Sequence, residues 1–321
     1  MTVANDVRAL APASERLGIV NQKAFEVELN TLLPKSTWSN TSGYSALNGN
    51  GSPIELCVSA SKNNIRGRLV VDPCYSMRSE IRFHSAWATA LNLAQLRAPE
   101  LFPILKTTRL LMGSWCLPEQ FSEGPLWLAS VPGSHGMAIY CDSQPLGDKA
   151  KLLINDWLKF ITPESIGYFQ PLLRQEDNVK LCSFGIEGYN LEDARVKIYF
   201  RLTCDSNLQT IGVTELYSAP IIDWLKIAIP RGEIHPDGLV LSISAPLNGT
   251  GPTDAKADVC GHCVAHSLDE WDRIFADIPG AKGLPRFAES LNDDQISVAF
   301  AGLGVTSNSD ARVNVYLQAV R

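Results

Sequence analysis

The sequence predicts an α+β fold in which ten antiparallel strands close into a barrel with helices outside. An internal repeat is the first sign, because Asp193–Phe200 reads DARVKIYF and Asp310–Leu317 reads DARVNVYL. Each copy follows a short apolar run and a turn rich in Gly and Asn, which is typical of a β-hairpin. Segments with helical spacing of apolar residues separate the hairpins. The helices and hairpins together make about five α-α-β-β units. Their ten strands are enough to close a barrel.

Five hairpins are predicted along the chain. In order they are Ile54–Ser59 with Ile65–Asp72, Leu126–Val131 with Gly136–Asp142, Val179–Phe184 with Asp193–Phe200, Leu239–Ala245 with Ala255–Val264, and Ile296–Ala301 with Arg312–Val320. The fourth contains a weaker copy of the repeat, DAKADVC. Helical spacing is found in the segments Phe25–Leu33, Glu80–Leu96, Glu100–Leu111, Lys149–Ile161, Ile221–Ile229, Leu268–Ile278 and Leu284–Leu291. Ser267 and Glu270 form a capping box at the start of one of them.

Composition limits the function classes. The 321 residues contain no low-complexity tract or long linker, so we expect one domain over residues 1–321. The net charge is −6 and no run of Lys and Arg occurs, which argues against nucleic-acid binding. No secretory signal is visible at the N-terminus, and charged residues interrupt every apolar segment before it could span a bilayer. We therefore expect a cytoplasmic protein with no membrane partner.

The repeat strands have one polar and one apolar face, because side chains alternate along a strand. The polar face of the first copy carries Arg195, Lys197, Tyr199 and Arg201, and that of the last carries Arg312, Asn314, Tyr316 and Gln318. A solvent-facing side of an open sheet is the simpler interpretation. The second interpretation is that this face lines a barrel lumen. If helices cover the outside of a barrel, the polar faces of its strands must point inward. It is favoured because this face is basic, with few acidic partners, in an acidic protein.

A lumen of this kind is typical of an anion site with aromatic walls. Cations spread over several strands suit a multivalent anion such as a diphosphate. The sequence lacks the glycine-rich phosphate motifs GxxxxGK[ST] and GxGxxG, and it lacks a DDxxD run that would hold phosphate through magnesium. Side chains on strands must therefore bind the anion.

Three motifs in order carry a family resemblance: SPIEL at Ser52–Leu56, RLVVDP at Arg68–Pro73, and ARVKIYF at Ala194–Phe200. With the alternation of helices and hairpins, they resemble the aromatic prenyltransferases of the α-α-β-β barrel fold. The similarity is strongest to the indole prenyltransferases of the dimethylallyltryptophan synthase type. The chain length is closest to that of bacterial and cyanobacterial members.

The resemblance implies transfer of a C5 or C10 allylic group to an indole-containing small molecule, by a Friedel–Crafts-type alkylation through an allylic cation. The partners implied are dimethylallyl or geranyl diphosphate and the indole acceptor. Glu55 matches the family's catalytic glutamate, which hydrogen-bonds the indole N–H. The other matched positions are Arg68, Arg195, Lys197 and Lys256 for the diphosphate, Tyr140, Tyr199 and Tyr316 for the shield around the cation, and Arg66, Arg312 and Asn314 as further lumen residues.

Departures from the family pattern leave alternatives open. Ala138 and Asn314 stand where the repeat has lysine, and Cys260 stands where it has tyrosine. The same fold also prenylates peptide side chains, and a non-catalytic barrel that binds a small anionic or aromatic ligand is a second alternative. A structural role, as an ion-paired carboxylate, is an alternative to the catalytic role of Glu55. The sequence requires no cofactor and leaves open whether Mg²⁺ stimulates the reaction; we expect a monomer or a weak dimer.

A separate motif, CGHCVAH at Cys260–His266, has the residue types of a zinc site. The sequence contains no second CxxC or HxxxH pair. If the motif continues the strand, alternation places Cys260 and His262 on one face and Cys263 on the other. The sequence therefore predicts a packed strand end and no metal.

Overall fold

The computed structural model describes residues 2–40, 44–61, 64–173, 179–202, 206–207, 219–229, 232–249, 254–278, 281–292, 294–306 and 310–321. The helices are α1 (Val3–Arg16), α2 (Gln22–Leu32), α3 (Ser79–Arg97), α4 (Phe102–Trp115), α5 (Ala150–Ile161), α6 (Ile166–Leu173), α7 (Ala219–Ala228), α8 (Gly261–Val264), α9 (Leu268–Ala276) and α10 (Phe287–Ser290). The strands are β1 (Ile54–Ser61), β2 (Asn64–Val71), β3 (Leu126–Ser130), β4 (Met137–Asp142), β5 (Val179–Gly188), β6 (Arg195–Leu202), β7 (Ser206–Asn207), β8 (Glu233–Ile234), β9 (Leu239–Pro246), β10 (Asp254–Cys260), β11 (Ile296–Thr306) and β12 (Ala311–Ala319).

Ten of these strands form one closed antiparallel barrel. Their order around it is β1-β12-β11-β10-β9-β6-β5-β4-β3-β2, and β7 pairs separately with β8. The barrel closes where β1 pairs with the last strand, β12, in a register that sets Leu56 opposite Leu317. All five predicted hairpins occur, and the predicted barrel is confirmed.

The apolar faces of the strands point outward and are covered by the helices. Val196, Ile198 and Phe200 of β6 are fully buried there. Large aromatic side chains from the helices pack onto this layer, among them Trp157 of α5 and Trp224 of α7. The core thus lies between barrel and helices, which leaves the inward faces free to be polar.

Local signals in the sequence define several helix ends. The Asn21 side chain accepts a hydrogen bond from the Ala24 N–H, 2.9 Å away, and so caps α2. The predicted capping box is present at α9, where Ser267 and Glu270 satisfy each other's backbone N–H groups. Among the described residues, no helix is long and apolar enough to span a membrane.

Several elements differ from the sequence expectations. β5 continues to Gly188, past the predicted end at Phe184. β10 ends at Cys260 and the chain then makes one helical turn, α8, so the expected strand up to Val264 is wrong. The sequence did not predict α1, which contains Pro12, a residue that cannot donate a helical hydrogen bond.

Candidate active site

The barrel lumen holds two adjoining cavities. The first, of about 460 Å³, lies at the end formed by the turns of the first three hairpins. The second, of about 110 Å³, lies toward the opposite ends of the strands, where Glu55, Trp127 and Arg201 line it. Arg68 lines both. A bound molecule could therefore have one end in each cavity.

All eleven residues singled out in the sequence line these cavities. The first cavity contains Arg66, Arg68, Arg195, Lys197, Arg312 and Asn314. The second contains Glu55, Arg68, Tyr140, Tyr199, Lys256 and Tyr316. The fold thus brings together side chains from six strands, and the roles assigned to them remain predictions.

A buried carboxylate, Glu187 of β5, lies at the centre of the cations in the first cavity. It accepts from Lys197 Nζ at 2.8 Å and from Arg68 Nη1 at 3.3 Å, and it also pairs with Arg195 Nε. The Tyr140 hydroxyl donates to the same carboxylate at 2.9 Å. Four predicted site residues therefore share one carboxylate that the sequence analysis did not single out.

Asp254 is a second carboxylate in this cluster. It accepts from Arg195 Nη1 at 2.7 Å and from Arg312 Nη2 at 3.3 Å. The expectation that the lumen cations have few acidic partners is therefore wrong. Arg66 differs from the others, since it is exposed at the rim and forms no ion pair with any described residue.

The cluster nevertheless keeps an excess of positive charge. Arg66, Arg68, Arg195, Lys197 and Arg312 face the carboxylates of Glu187 and Asp254, with one further carboxylate, Asp193, at the rim. Such an excess within a partly enclosed polar cavity favours a multivalent anion.

The ionisation of Glu187 and Lys197 reflects this balance between carboxylates and cations. Burial disfavours a charged Glu187, but Arg195, Lys197 and Arg68 outweigh burial and hold its pKa well below the ordinary value. Burial lowers the pKa of Lys197; Glu187 opposes this, while the neighbouring guanidinium groups add to it. An additional anion in the cavity would stabilise the Lys197 ammonium.

Three tyrosines enclose the second cavity. The rings of Tyr140 and Tyr199 meet edge to face with centroids 5.7 Å apart, and Tyr316 meets Phe300 in the same way at 6.3 Å. Burial raises the pKa of all three phenols, so they are neutral near pH 7. Their faces offer a site for a cation.

Lys256 places its ammonium group near two of these rings. Its Nζ lies 5.1 Å from the ring centroid of Tyr316 and 5.7 Å from that of Tyr199. The ammonium also donates to the Tyr316 hydroxyl at 3.0 Å and pairs with Asp258 at 2.5 Å. Lys256 thus lies among the tyrosines rather than in the Glu187 cluster.

Glu55 lies in the second cavity and is 4% exposed. Within the described part of the chain it forms no ion pair, and its Oε1 has no hydrogen-bond partner. Burial, with a smaller contribution from the charge of Asp258, raises its pKa from 4.5 to about 8. This setting argues against a structural ion pair and leaves an acceptor atom for a ligand.

Small residues on neighbouring strands make room for the large inward side chains. Gly185 of β5 faces Tyr140, and a Cβ there would lie 2.7 Å from the tyrosine ring. Gly302 of β11 faces Asp258, whose carboxylate oxygen would meet a Cβ at 1.8 Å. Glycine at both positions is therefore a steric requirement of the lumen.

Further lumen residues were missed or left undecided. Glu187 was placed in a turn because the predicted strand stopped too early. Trp127 lines the second cavity, as do Phe300 and Arg201. Asp258 follows Lys256 by two positions, so strand alternation alone could have located it.

The cluster at the end of β10 also departs from expectation. Because Gly261–Val264 is helical, ligand atoms of Cys260, His262 and Cys263 all lie within 4.8 Å of one another. The argument that strand alternation separates these side chains is therefore wrong.

Comparison with known proteins defines the class of fold. No family model matches the chain, and no curated protein sequence matches it. Solved structures of prenyltransferases match along nearly the whole length. The chain has the α-α-β-β barrel fold of the dimethylallyltryptophan synthases, as the sequence motifs implied.

Three of these structures illustrate the similarity. The prenyltransferase PriB, in ternary complex with L-tryptophan and dimethylallyl thiolodiphosphate, gives a TM-score of 0.74 at 15% identity, over 98% of this chain and 95% of that one. The 5-dimethylallyl tryptophan synthase from Streptomyces coelicolor gives 0.73 at 15% identity, over 96% and 92%. The 6-dimethylallyltryptophan synthase from Micromonospora olivasterospora gives 0.69 at 15% identity, over 99% and 97%.

Proposed function

We propose that this protein is an aromatic prenyltransferase that moves an allylic group from a prenyl diphosphate to an indole-containing small molecule. One observation carries the proposal: a cation cluster adjoins a tyrosine-lined cavity that already holds an ammonium group. An ionising allylic diphosphate needs these two environments next to each other.

The diphosphate is assigned to the first cavity. Arg68, Arg195 and Lys197 converge there, with Arg66 and Arg312 nearer the rim. Charge-assisted hydrogen bonds from several side chains suit the oxygens of a diphosphate. The anion also satisfies cations that Glu187 and Asp254 only partly neutralise.

Ionisation of the donor would take place at the junction of the two cavities, where Arg68 lies. The ester C–O bond breaks, and its electron pair leaves on the diphosphate oxygen, which the cations stabilise. The allylic cation that remains faces the rings of Tyr140, Tyr199 and Tyr316. Each ring contributes about 0.5–2 kcal/mol of cation–π attraction, and together they exclude water.

Glu55 is assigned to the acceptor. A ring carbon of the indole supplies the electron pair of the new C–C bond, and the indole N–H becomes more acidic. The ionised Glu55 carboxylate accepts a hydrogen bond from this N–H and so stabilises the positive charge that develops on the indole. The alkylated carbon then gives its proton to the released diphosphate, and the ring regains aromaticity.

The acceptor and donor are proposed from the lining of the second cavity and from the relatives. Trp127, Phe300 and Val70 provide apolar and aromatic contacts for a flat ring. Two of the similar structures are complexes with tryptophan and an analogue of dimethylallyl diphosphate. A C5 or C10 donor and an indole acceptor are thus the pair to test first.

This scheme uses no metal, because the excess of side-chain cations in the first cavity stabilises the leaving group. Mg²⁺ can add to the diphosphate in solution and stimulate the reaction. Turnover measured with and without Mg²⁺ tests this point.

The experiment is product analysis by mass spectrometry. The protein is incubated with dimethylallyl or geranyl diphosphate and a panel of indoles, with diphosphate release measured in parallel. The double variant Arg68→Ala, Lys197→Ala should lose product formation. The matched control, Lys159→Ala with Arg286→Ala, removes two exposed cations and should remain active.

Two outcomes would count against the proposal. Undiminished turnover in the lumen double variant would remove the diphosphate assignment. Binding of a non-cleavable diphosphate analogue, without acceptor-dependent diphosphate release for any indole, would instead support a non-catalytic binding barrel.

A further inference from the structure

A soft-ligand cluster lies outside both lumen cavities, at the end of β10. Its members are Cys260, His262 and Cys263, and none of them lines either cavity. Cys260 Sγ lies 2.8 Å from His262 Nδ1, and the three ligand atoms lie within 4.8 Å of one another. The prenyl-transfer scheme gives these residues no role.

The local backbone explains why the three side chains converge. β10 ends at Cys260, and the chain turns at once into α8, which Ala265 terminates in the left-handed region at φ 53°. Gly261 allows this turn, because a Cβ there would lie 1.9 Å from the Val298 carbonyl oxygen. The helical turn brings the first, third and fourth residues of the motif to one side.

We propose that Cys260, His262 and Cys263 form a site for a thiophilic divalent metal ion, of which Zn²⁺ is the best fit. Two thiolates and one imidazole are a donor set that zinc prefers over harder ligands. In a tetrahedral site with Zn–S bonds of about 2.3 Å, two sulfurs lie about 3.8 Å apart. The observed spacing is within reach of that geometry through small side-chain movements.

The surroundings suit a three-ligand site with one open position. Cys260 is buried, Cys263 is half-buried and His262 is exposed, so solvent can supply the fourth ligand on the histidine side.

The position of the cluster indicates what a bound metal would do. The His262 ring packs against Gly49, where a Cβ would lie 3.3 Å from the ring. Gly49 belongs to the segment before β1, and Ala46 and Leu47 of that segment line the second cavity. A metal bound here would therefore hold His262 in place, and with it the segment around Gly49 that lines the second cavity, where the acceptor is proposed to bind.

The test is cobalt titration of the metal-free, reduced protein, followed by displacement with zinc. Cobalt reports thiolate ligation by an intense ligand-to-metal charge-transfer absorption. We expect one equivalent of Co²⁺ with tetrahedral absorption, displaced by one equivalent of Zn²⁺. Cys263→Ser and His262→Gln should each weaken binding by at least about tenfold, since even changes in outer-shell partners cost about 10–100-fold.

Controls keep the result interpretable. Cys116→Ser removes a buried thiol outside the cluster and should leave cobalt binding unchanged. Because His262 is exposed, His262→Gln should fold even if a cysteine variant does not. The absence of thiolate-to-cobalt absorption, or equal affinity in His262→Gln and the unmodified protein, would overturn the proposal. Neither result bears on prenyl transfer, which has its own assay.

Discussion

Replacing Glu187 by Gln removes the negative charge at the centre of the lumen cluster while keeping the side chain's size. In the structure this carboxylate pairs with Lys197 at 2.8 Å and Arg68 at 3.3 Å, and with Arg195. It occupies the place where the proposed diphosphate would neutralise the same cations. The variant should therefore be less stable when empty and bind diphosphate more tightly.

Both magnitudes follow from the ion pairs. Removing one partner of a buried charge cluster costs about 3–5 kcal/mol, and Asp254 still pairs with Arg195, so we expect a loss of about 3 kcal/mol. Two unit charges about 8 Å apart at an effective dielectric constant of about 20 repel by about 2 kcal/mol. Relief of that repulsion corresponds to at least about a tenfold gain in diphosphate affinity.

Urea unfolding gives the stability, and isothermal titration calorimetry with inorganic pyrophosphate gives the affinity. Glu119→Gln, which removes an exposed carboxylate, is the charge-matched control and should change neither. Unchanged or weaker pyrophosphate binding by Glu187→Gln would refute the idea that Glu187 holds the diphosphate site in the empty protein.

The remaining predictions concern the two cavities. Because a protonated carboxyl carries no negative charge to stabilise the positive charge that develops on the indole, kcat/KM should rise with pH and level off above about 8, the pKa of Glu55; a flat profile over this range would contradict its role. Between pH 4.5 and about 8 the folded protein holds a proton on Glu55 that the unfolded chain has released, so the free energy of unfolding should fall as pH rises. In urea titrations Glu55→Gln should reduce that fall and leave the part that Asp142 contributes, since burial raises the pKa of Asp142 to about 7. Lys197→Met should lower kcat/KM by about 10²-fold or more, the effect of losing one leaving-group donor, and a loss below tenfold would argue against direct contact. Tyr199→Phe should retain activity within about twofold, whereas Tyr199→Leu should lower kcat/KM by about 2- to 30-fold, equivalent to one cation–π contact; equal rates would show that the ring does not face the cation.

Much of the fold could be predicted because each hairpin displays its two faces in sequence. Arg195, Lys197 and Tyr199 alternate with apolar residues, and a barrel covered by helices leaves them only the lumen. The same reasoning placed Glu55 and Arg68 correctly in the lumen. Strand alternation predicts which side chains face the lumen without any knowledge of the partner strand.

The ion-pair partners could not be predicted in the same way. A register shift between Leu181 and Ser183 in β5 breaks the alternation of that strand, so Glu187 does not continue the pattern of its first half. Its pairing with Arg68 joins β5 to β2, which only the closed barrel brings within reach. The Lys256 ammonium among the tyrosines likewise depends on the three-dimensional arrangement of β6, β10 and β12.

The convergence of Cys260, His262 and Cys263 was missed for a different reason. The apolar pattern of β10 gives no sign of where the strand ends. One helical turn instead of two further strand residues changes which side chains meet. Short helices of this length have no amphipathic period to detect.

A crystal structure with dimethylallyl thiolodiphosphate tests the central claim most directly, because the thio-linkage resists ionisation and holds the donor in place. We expect diphosphate oxygens within hydrogen-bond distance of Arg68, Arg195 and Lys197, with the prenyl chain among Tyr140, Tyr199 and Tyr316. A diphosphate bound outside the lumen, or a prenyl chain pointing away from these rings, would contradict it.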